Sequence, residues 1–166
     1  MRRREAAIGS ALFFLLAPGT IAGFIPWLIT HWRIESGAST ALSGLGAALL
    51  IPFAAILIEC FARFVRHGGT PAPIMPTQQL VVSGLYRHLR NPMYVAVSGL
   101  IFAQALLLGS AALLAYGIVI CISFHLFVLG YEEPTLRGRY GEDYENYCKA
   151  VPRWLPRLKS WTPPAS

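Results

Sequence analysis

The sequence predicts an all-α polytopic membrane protein, with about four transmembrane helices and a C-terminal amphipathic helix on the cytosolic side. Three observations carry this. The 166 residues are 55% hydrophobic and only 13% charged, about half the charge of a soluble domain. The apolar residues come in long blocks, as spanning helices require. Thirteen of the fourteen Lys and Arg residues fall in segments that alternate crossings place on one side. The positive-inside rule makes that side, with both termini, cytosolic.

The first span is expected over residues 6–29. It follows Arg2, Arg3 and Arg4 and so mimics the charged start of a signal peptide. The run is too long for a signal core and lacks a clear cleavage site, so it reads as a retained span, kinked near Pro18 and Pro26. A short polar loop leads to the second span, 40–61. A cytosolic loop, 62–91, follows. Its stretch 67–79 holds three prolines and two glycines, which no single helix accommodates; it is expected to lie over the cytosolic mouth. The third and fourth spans, 92–108 and 111–131, are joined only by Gly109 and Ser110, a tight helical hairpin.

A last helix is expected over 134–151. Pro134 suits a first helical position, and Glu132 and Glu133 suit the positive end of the helix dipole. Leu136, Tyr140, Tyr144, Tyr147 and Val151 recur at helical spacing and form one Tyr-rich apolar stripe. Such a helix lies on the membrane surface or caps the bundle. Pro152 ends it, and a tail runs over 152–166. The whole chain reads as one membrane domain, 1–166.

The formal charge of +6 does not point to nucleic acid, because the basic residues flank apolar runs and suit topology and anionic lipid. Cys60, Cys121 and Cys148 are odd in number and widely spaced. They suggest neither a disulfide framework nor a metal site.

Polar residues near the cytosolic side have paired readings. Glu132 and Glu133 either cap the following helix or bind a cationic ligand and an arginine. Tyr86, Arg87, His88, Arg90, Asn91 and Tyr94 either anchor the chain at the interface or hold an anion beside the start of the third span. Arg153 and Trp154 are either an interfacial anchor or a carboxylate clamp. His125 is either an interhelical hydrogen-bond partner or a functional group two turns from Glu132. Glu59 and Arg63, four residues apart, read as an ion pair. Gln104 reads as interhelical glue, and Gly44 and Gly46 as packing residues.

The motifs also have a telling order. Leu80-Val-Val-Ser-Gly-Leu-Tyr-Arg-His-Leu-Arg-Asn-Pro-Met-Tyr94 is followed by an apolar hairpin and Tyr131-Glu-Glu-Pro-Thr-Leu136. Then come Arg139-Tyr-Gly-Glu-Asp-Tyr-Glu-Asn-Tyr147 and Val151-Pro-Arg-Trp154. This series closely resembles the C-terminal half of integral-membrane methyltransferases of the isoprenylcysteine carboxyl methyltransferase and phosphatidylethanolamine N-methyltransferase (phospholipid methyltransferase) group. The resemblance covers residues 80–156. Asn91 replaces the His of the prenylcysteine enzymes and matches the phospholipid branch, and Ala96 stands where a Gly often follows the Tyr.

The resemblance implies S-adenosyl-L-methionine, bound at the cytosolic face between the last spans and the C-terminal helix. It implies cofactor-binding roles for Gly84, Tyr86, Arg90, Asn91, Pro92, Tyr94, Glu132 and Glu133. Glu133, Arg153 and His88 are the catalytic candidates, and no metal is implied. The expected activity is methylation of a lipophilic substrate: an isoprenylcysteine carboxylate, or a related lipid carboxyl, amine or hydroxyl. The chemistry is consistent with this. Arg90 or Arg87 suits the cofactor's carboxylate and a glutamate suits its amino group. Tyr86, Tyr94 or Tyr131 suits the sulfonium. An amine or phenol acceptor needs a base, for which His88 and His125 are candidates. The alternatives are an NADPH-dependent membrane reductase of the sterol-reductase-like type and a non-catalytic membrane scaffold. The expected partners are the bilayer and a lipid-tailed substrate.

Overall fold

The computed structural model describes residues 16–66, 80 and 82–162, and every regular element among them is helical. The expected helix from residue 6 to 15, the proline-rich loop 67–79 and the end of the tail lie outside the described residues.

The first helix, α1, covers Thr20–Thr30. It opens with a π-helical turn, Thr20–Phe24, and Pro26 occupies the first turn of the α-helical part that follows, where its missing N–H is no loss. It ends at His31 and Trp32, both with positive φ. The next helix, α2, is Thr40–Arg66 with Pro52 inside it. It runs past the expected boundary at 61, and Arg63 pairs with Glu59 across that extra turn at 2.5 Å.

The helix α3, Pro92–Leu108, sits in the middle of the bundle. Its Ala96, Val97, Ile101, Ala105 and Leu108 join Leu57 and Phe61 of α2 in the main core. Small residues set the approach. A Cβ on Gly46 would meet the backbone of Leu107 and Ala103, and one on Gly99 would meet the Phe53 ring. Close backbone contact of this kind is what small residues allow between helices in lipid. Gln104 donates to the Ala22 carbonyl of α1 at 2.8 Å, which gives it the bridging role expected of it.

Gly109, with φ of 70°, and Ser110 turn the chain into α4, Ala111–Phe127. A π-helical turn, Val128–Glu132, then leads without a break into α5, Glu133–Tyr140. The fourth apolar segment and the start of the expected terminal helix are therefore one helical rod, Ala111–Tyr140. Pro134 lies in the first turn of α5. The terminal helix itself is split: Gly141, at φ of 52°, separates α5 from α6, Glu142–Ala150. The Tyr-rich stripe survives the break. Tyr144, Tyr147 and Val151 are buried, with Leu136, Tyr140, Leu80, Val82 and Trp161 packed on them. This stripe therefore caps other parts of the chain.

The outward faces of α2 and α4 are apolar: Ile51, Ile58, Ile118, Val119, Ile122 and Leu126 are all exposed. Exposed apolar surface on this scale marks a lipid or protein interface. α2 and the α4–α5 rod are long and apolar enough to cross a membrane, whereas Thr20–Thr30 and Pro92–Leu108 are shorter apolar helices.

Candidate functional site

One end of the bundle gathers most of the expected site residues. The approach to α3 is a 3-10 turn, Gly84–Arg87. Gly84 has φ of 56°, and a Cβ there would meet the Glu59 carboxylate and the Arg63 guanidinium. Asn91, at φ −122° and ψ 53°, lies outside the helical region, which a residue before proline disfavours, and Pro92 then starts α3.

The tail lies along this approach. The Arg90 N–H donates to the Pro152 carbonyl at 2.9 Å, and the N–H groups of Arg157 and Trp161 donate to the carbonyls of His88 and Arg87 at 3.0 Å. Asn91 Nδ2 donates to the Arg153 carbonyl at 3.2 Å. Tyr147 Oη donates to the Tyr86 carbonyl at 2.6 Å. The hydroxyls of Tyr86, Tyr144 and Tyr147 all titrate above the usual tyrosine range, because burial disfavours their charged forms.

Glu133 is the centre of the charged cluster. It is 3% exposed. Its Oε1 accepts from Arg153 Nε at 2.6 Å and Arg90 Nη1 at 3.0 Å. Its Oε2 accepts from Arg153 Nη2 at 3.0 Å. Arg137 Nη2 stands 3.8 Å from the same oxygen and pairs through Nε with Glu145 at 2.8 Å. The Arg153 contact is bidentate, the strong form of a carboxylate–guanidinium pair. Its hydrogen bond to Glu133 raises the guanidinium's already high pKa, against the opposing effect of burial. Arg90 also donates to Cys148 Sγ at 2.9 Å. Its Nε is buried and has no hydrogen-bond partner among the described residues.

Glu132 has a different partner. Tyr94 Oη, from the first turn of α3, donates to Glu132 Oε2 at 2.7 Å. The Tyr94 ring packs on Phe124 of α4, with centroids 4.6 Å apart. Successive helical residues point about 100° apart, so the adjacent carboxylates diverge. Glu132, the last residue of the π turn, meets α3; Glu133, the first of α5, meets the tail.

The structure thus brings together Arg90, Asn91, Tyr94, Glu132, Glu133 and Arg153, with Pro92 buried beneath them. Gly84 and His88 line a separate cleft beside α2. The Tyr86 hydroxyl meets the Cys60 thiol of α2 and feels the charge of Glu132, while its carbonyl accepts from Tyr147 of α6; His88 Nδ1 bonds the Arg157 carbonyl at 2.9 Å. Arg87 is held by the Trp161 carbonyl at 2.6 Å and by Thr162. His125 accepts from Trp154 Nε1 at 3.1 Å, and Tyr131 is exposed beside Phe127. Sequence reasoning gave no role to Arg137, although its spacing of four from Glu133 was a readable signal. It also missed the tail's contacts through Arg157 and Trp161, since carbonyl contacts leave no mark in side-chain identity.

A family model for phospholipid methyltransferases matches residues 41–143. The chain belongs to the phospholipid methyltransferase family. No curated protein and no solved structure matches it. The matched segment of this phospholipid methyltransferase family member runs from α2 into the start of α6. It contains the Arg90–Tyr94 motif and both glutamates, whereas Arg153 and the tail that clamps Glu133 fall beyond it. Membership carries methyltransferase activity at the general level and an integral membrane setting, in keeping with the two membrane-length helices. Among the described residues no cluster of potential metal ligands occurs.

Proposed function

We propose that this protein transfers a methyl group from S-adenosyl-L-methionine to the headgroup of a lipid at the polar end of its bundle. In this reading the chain is one domain with four spans, and with the site and both termini in the cytosol. The observation that carries the reading is the Tyr94–Glu132 pair, set beside the Arg90–Glu133–Arg153 cluster inside a family-matched segment.

The residues fit the cofactor's chemistry. A zwitterionic amino-acid tail needs one cationic donor and one carboxylate. Arg90 offers a buried Nε without a described partner, a donor suited to the tail carboxylate. Glu132 has Oε2 on Tyr94 and is the carboxylate suited to the amino group. The Tyr94 and Phe124 rings present aromatic surface suited to a cationic sulfonium. When bound, S-adenosyl-L-methionine supplies a methyl group on a sulfonium that leaves as a neutral thioether.

The chain's own work is alignment and the exclusion of water. Glu133 is so fully engaged by arginines that it serves as a positioning residue. It ties the tail to α5 and holds Arg90 in place. Tyr94 orients Glu132. Arg153 closes the tail over the cluster and shields it from solvent.

The test is calorimetric titration of the detergent-solubilised protein with S-adenosyl-L-methionine, followed by transfer of radiolabelled methyl into extracted lipid. Glu132→Gln is expected to lose cofactor binding while keeping the wild-type melting profile. Unchanged affinity in the Glu132→Gln, Glu133→Gln double variant would remove the site assignment.

A further inference from the structure

The tail is fastened to the polar end of the bundle at two points and leaves it between them. Arg153 is the first point: its side chain grips Glu133, and its carbonyl accepts from Asn91 Nδ2 at 3.2 Å. Arg157 is the second, through its N–H to the His88 carbonyl at 3.0 Å and its Nη1 to the Ala150 carbonyl at 2.6 Å. Between them Trp154, Leu155 and Pro156 form a loop that reaches α4. The Trp154 Nε1–H donates to His125 Nδ1 at 3.1 Å, and the two ring centroids lie 6.0 Å apart. Leu155 is 78% exposed, and Pro156 is exposed as well.

Where the loop lands decides what surrounds it. His125 is itself exposed. Ile118, Ile122 and Leu129 stand seven and three residues before it and four after it, on the same helical face, and all three are exposed. This is the apolar outward face of a membrane-length helix. His125 stands 14 residues beyond Ala111 in the rod, about 21 Å at 1.5 Å per residue. With Ala111 at the far edge of a hydrocarbon layer roughly 30 Å thick, His125 lies about 9 Å short of the near edge. A polar ring on that face at that depth is costly until its polar atoms are satisfied. The Trp154 indole satisfies Nδ1. Tryptophan joins a large apolar body to a single N–H, which suits a site where lipid and a polar partner meet.

We infer that the loop 154–156 is a membrane-docking element that dips into the leaflet at the site's end of the bundle, with Leu155 among acyl chains and Trp154 packed on the lipid-facing side of α4. The occupant of this surface is lipid, because the loop is continuous with the apolar face of α4 and meets it at acyl depth. Lys159, exposed just beyond the loop, offers positive charge to anionic headgroups. Docking reaches the polar cluster through a single peptide bond. Trp154 follows Arg153, so lipid that holds the loop also holds the guanidinium on Glu133.

The experiment uses the full chain in nanodiscs of phosphatidylcholine and phosphatidylglycerol. Trp154 fluorescence is taken as the difference between the wild-type protein and Trp154→Phe. It is expected to be quenched by lipids brominated along the acyl chain and to be shielded from acrylamide in the water. Leu155→Asp is the second variant. Leu155 has little protein cover, so the melting profile should hold. Tryptic cleavage within 152–162 should be about tenfold faster than in the wild type, the equilibrium worth of one leucine withdrawn from lipid. The inference is overturned if the Trp154 component is quenched by acrylamide and not by brominated lipid, as it would be were the loop's partner a second protein that the discs lack. Cleavage of Leu155→Asp at the wild-type rate overturns it too. Neither readout involves a cofactor, so the inference stands or falls apart from the methyl-transfer reading.

Discussion

Arg153 grips Glu133 with two nitrogens, at 2.6 and 3.0 Å, and in doing so fastens the C-terminal tail to the end of the α4–α5 rod. Glu133 is buried and Arg153 is about one-quarter exposed. Removing the arginine leaves the carboxylate with Arg90 and the more distant Arg137. Arg153→Ala is therefore expected to destabilise the capped end by about 2 kcal/mol, less than the loss of a fully buried pair. Limited proteolysis would report it as faster cleavage within 152–162. Arg153→Lys, which cannot make the bidentate bond, should fall between the two.

Tyr94→Phe isolates the hydroxyl. The ring still packs on Phe124, so melting should change little. Glu132 loses the donor that orients it, at a cost of about 1 kcal/mol. Calorimetry should show cofactor affinity reduced roughly fivefold to tenfold. A variant with wild-type affinity would free Glu132 from its proposed role.

Gly46→Val tests the bundle rather than the site. Its side chain would push against the Leu107 and Ala103 backbone, which cannot swing away as a side chain can. Overpacking of this kind costs about 1–3 kcal/mol. The expected outcome is a lower melting temperature in detergent, with the Glu133 cluster intact in any protein that remains folded.

The buried tyrosines predict an alkaline limit. Tyr86, Tyr144 and Tyr147 hold their protons more tightly folded than unfolded. Their contribution is therefore complete below the ordinary tyrosine value near 10. It is lost as pH rises above it, where the unfolded chain ionises first. Melting temperature should be flat across neutral pH and fall from about pH 10 upward. Tyr147→Phe should shallow that fall by one proton's worth, while lowering stability at neutral pH through loss of its bond to the Tyr86 carbonyl.

Block hydropathy and the positions of arginine made the helices readable, and the motif order made the polar end of the bundle readable. Gln104 and the Glu59–Arg63 pair were readable too, because polar groups in an apolar helix have few ways to be satisfied. The join at residues 127–133 was not. Pro134 signals a helix start, but a π-helical turn leaves the preceding carbonyls tolerant of it, so the helix runs through. Nor was the division between Glu132 and Glu133 visible. Two identical neighbours differ only in the direction that the helix turns them, and although Arg153 was readable as a carboxylate clamp, which glutamate it takes depends on a tail path fixed largely by backbone groups. The break at Gly141 was available in principle, since a glycine inside an expected helix always admits a left-handed residue.

The unbroken rod Ala111–Tyr140 has a mechanical consequence. At 1.5 Å per residue its 30 residues extend about 45 Å, against roughly 30 Å of hydrocarbon. Set upright across a bilayer, the rod would carry its last third clear of the acyl layer. Glu132 and Glu133 ride on that projecting third without an intervening hinge, so their height above the lipid is set by a rigid strut and by the thickness of the bilayer around it. A thinner membrane would lift both carboxylates away from the headgroups, and a thicker one would draw them down.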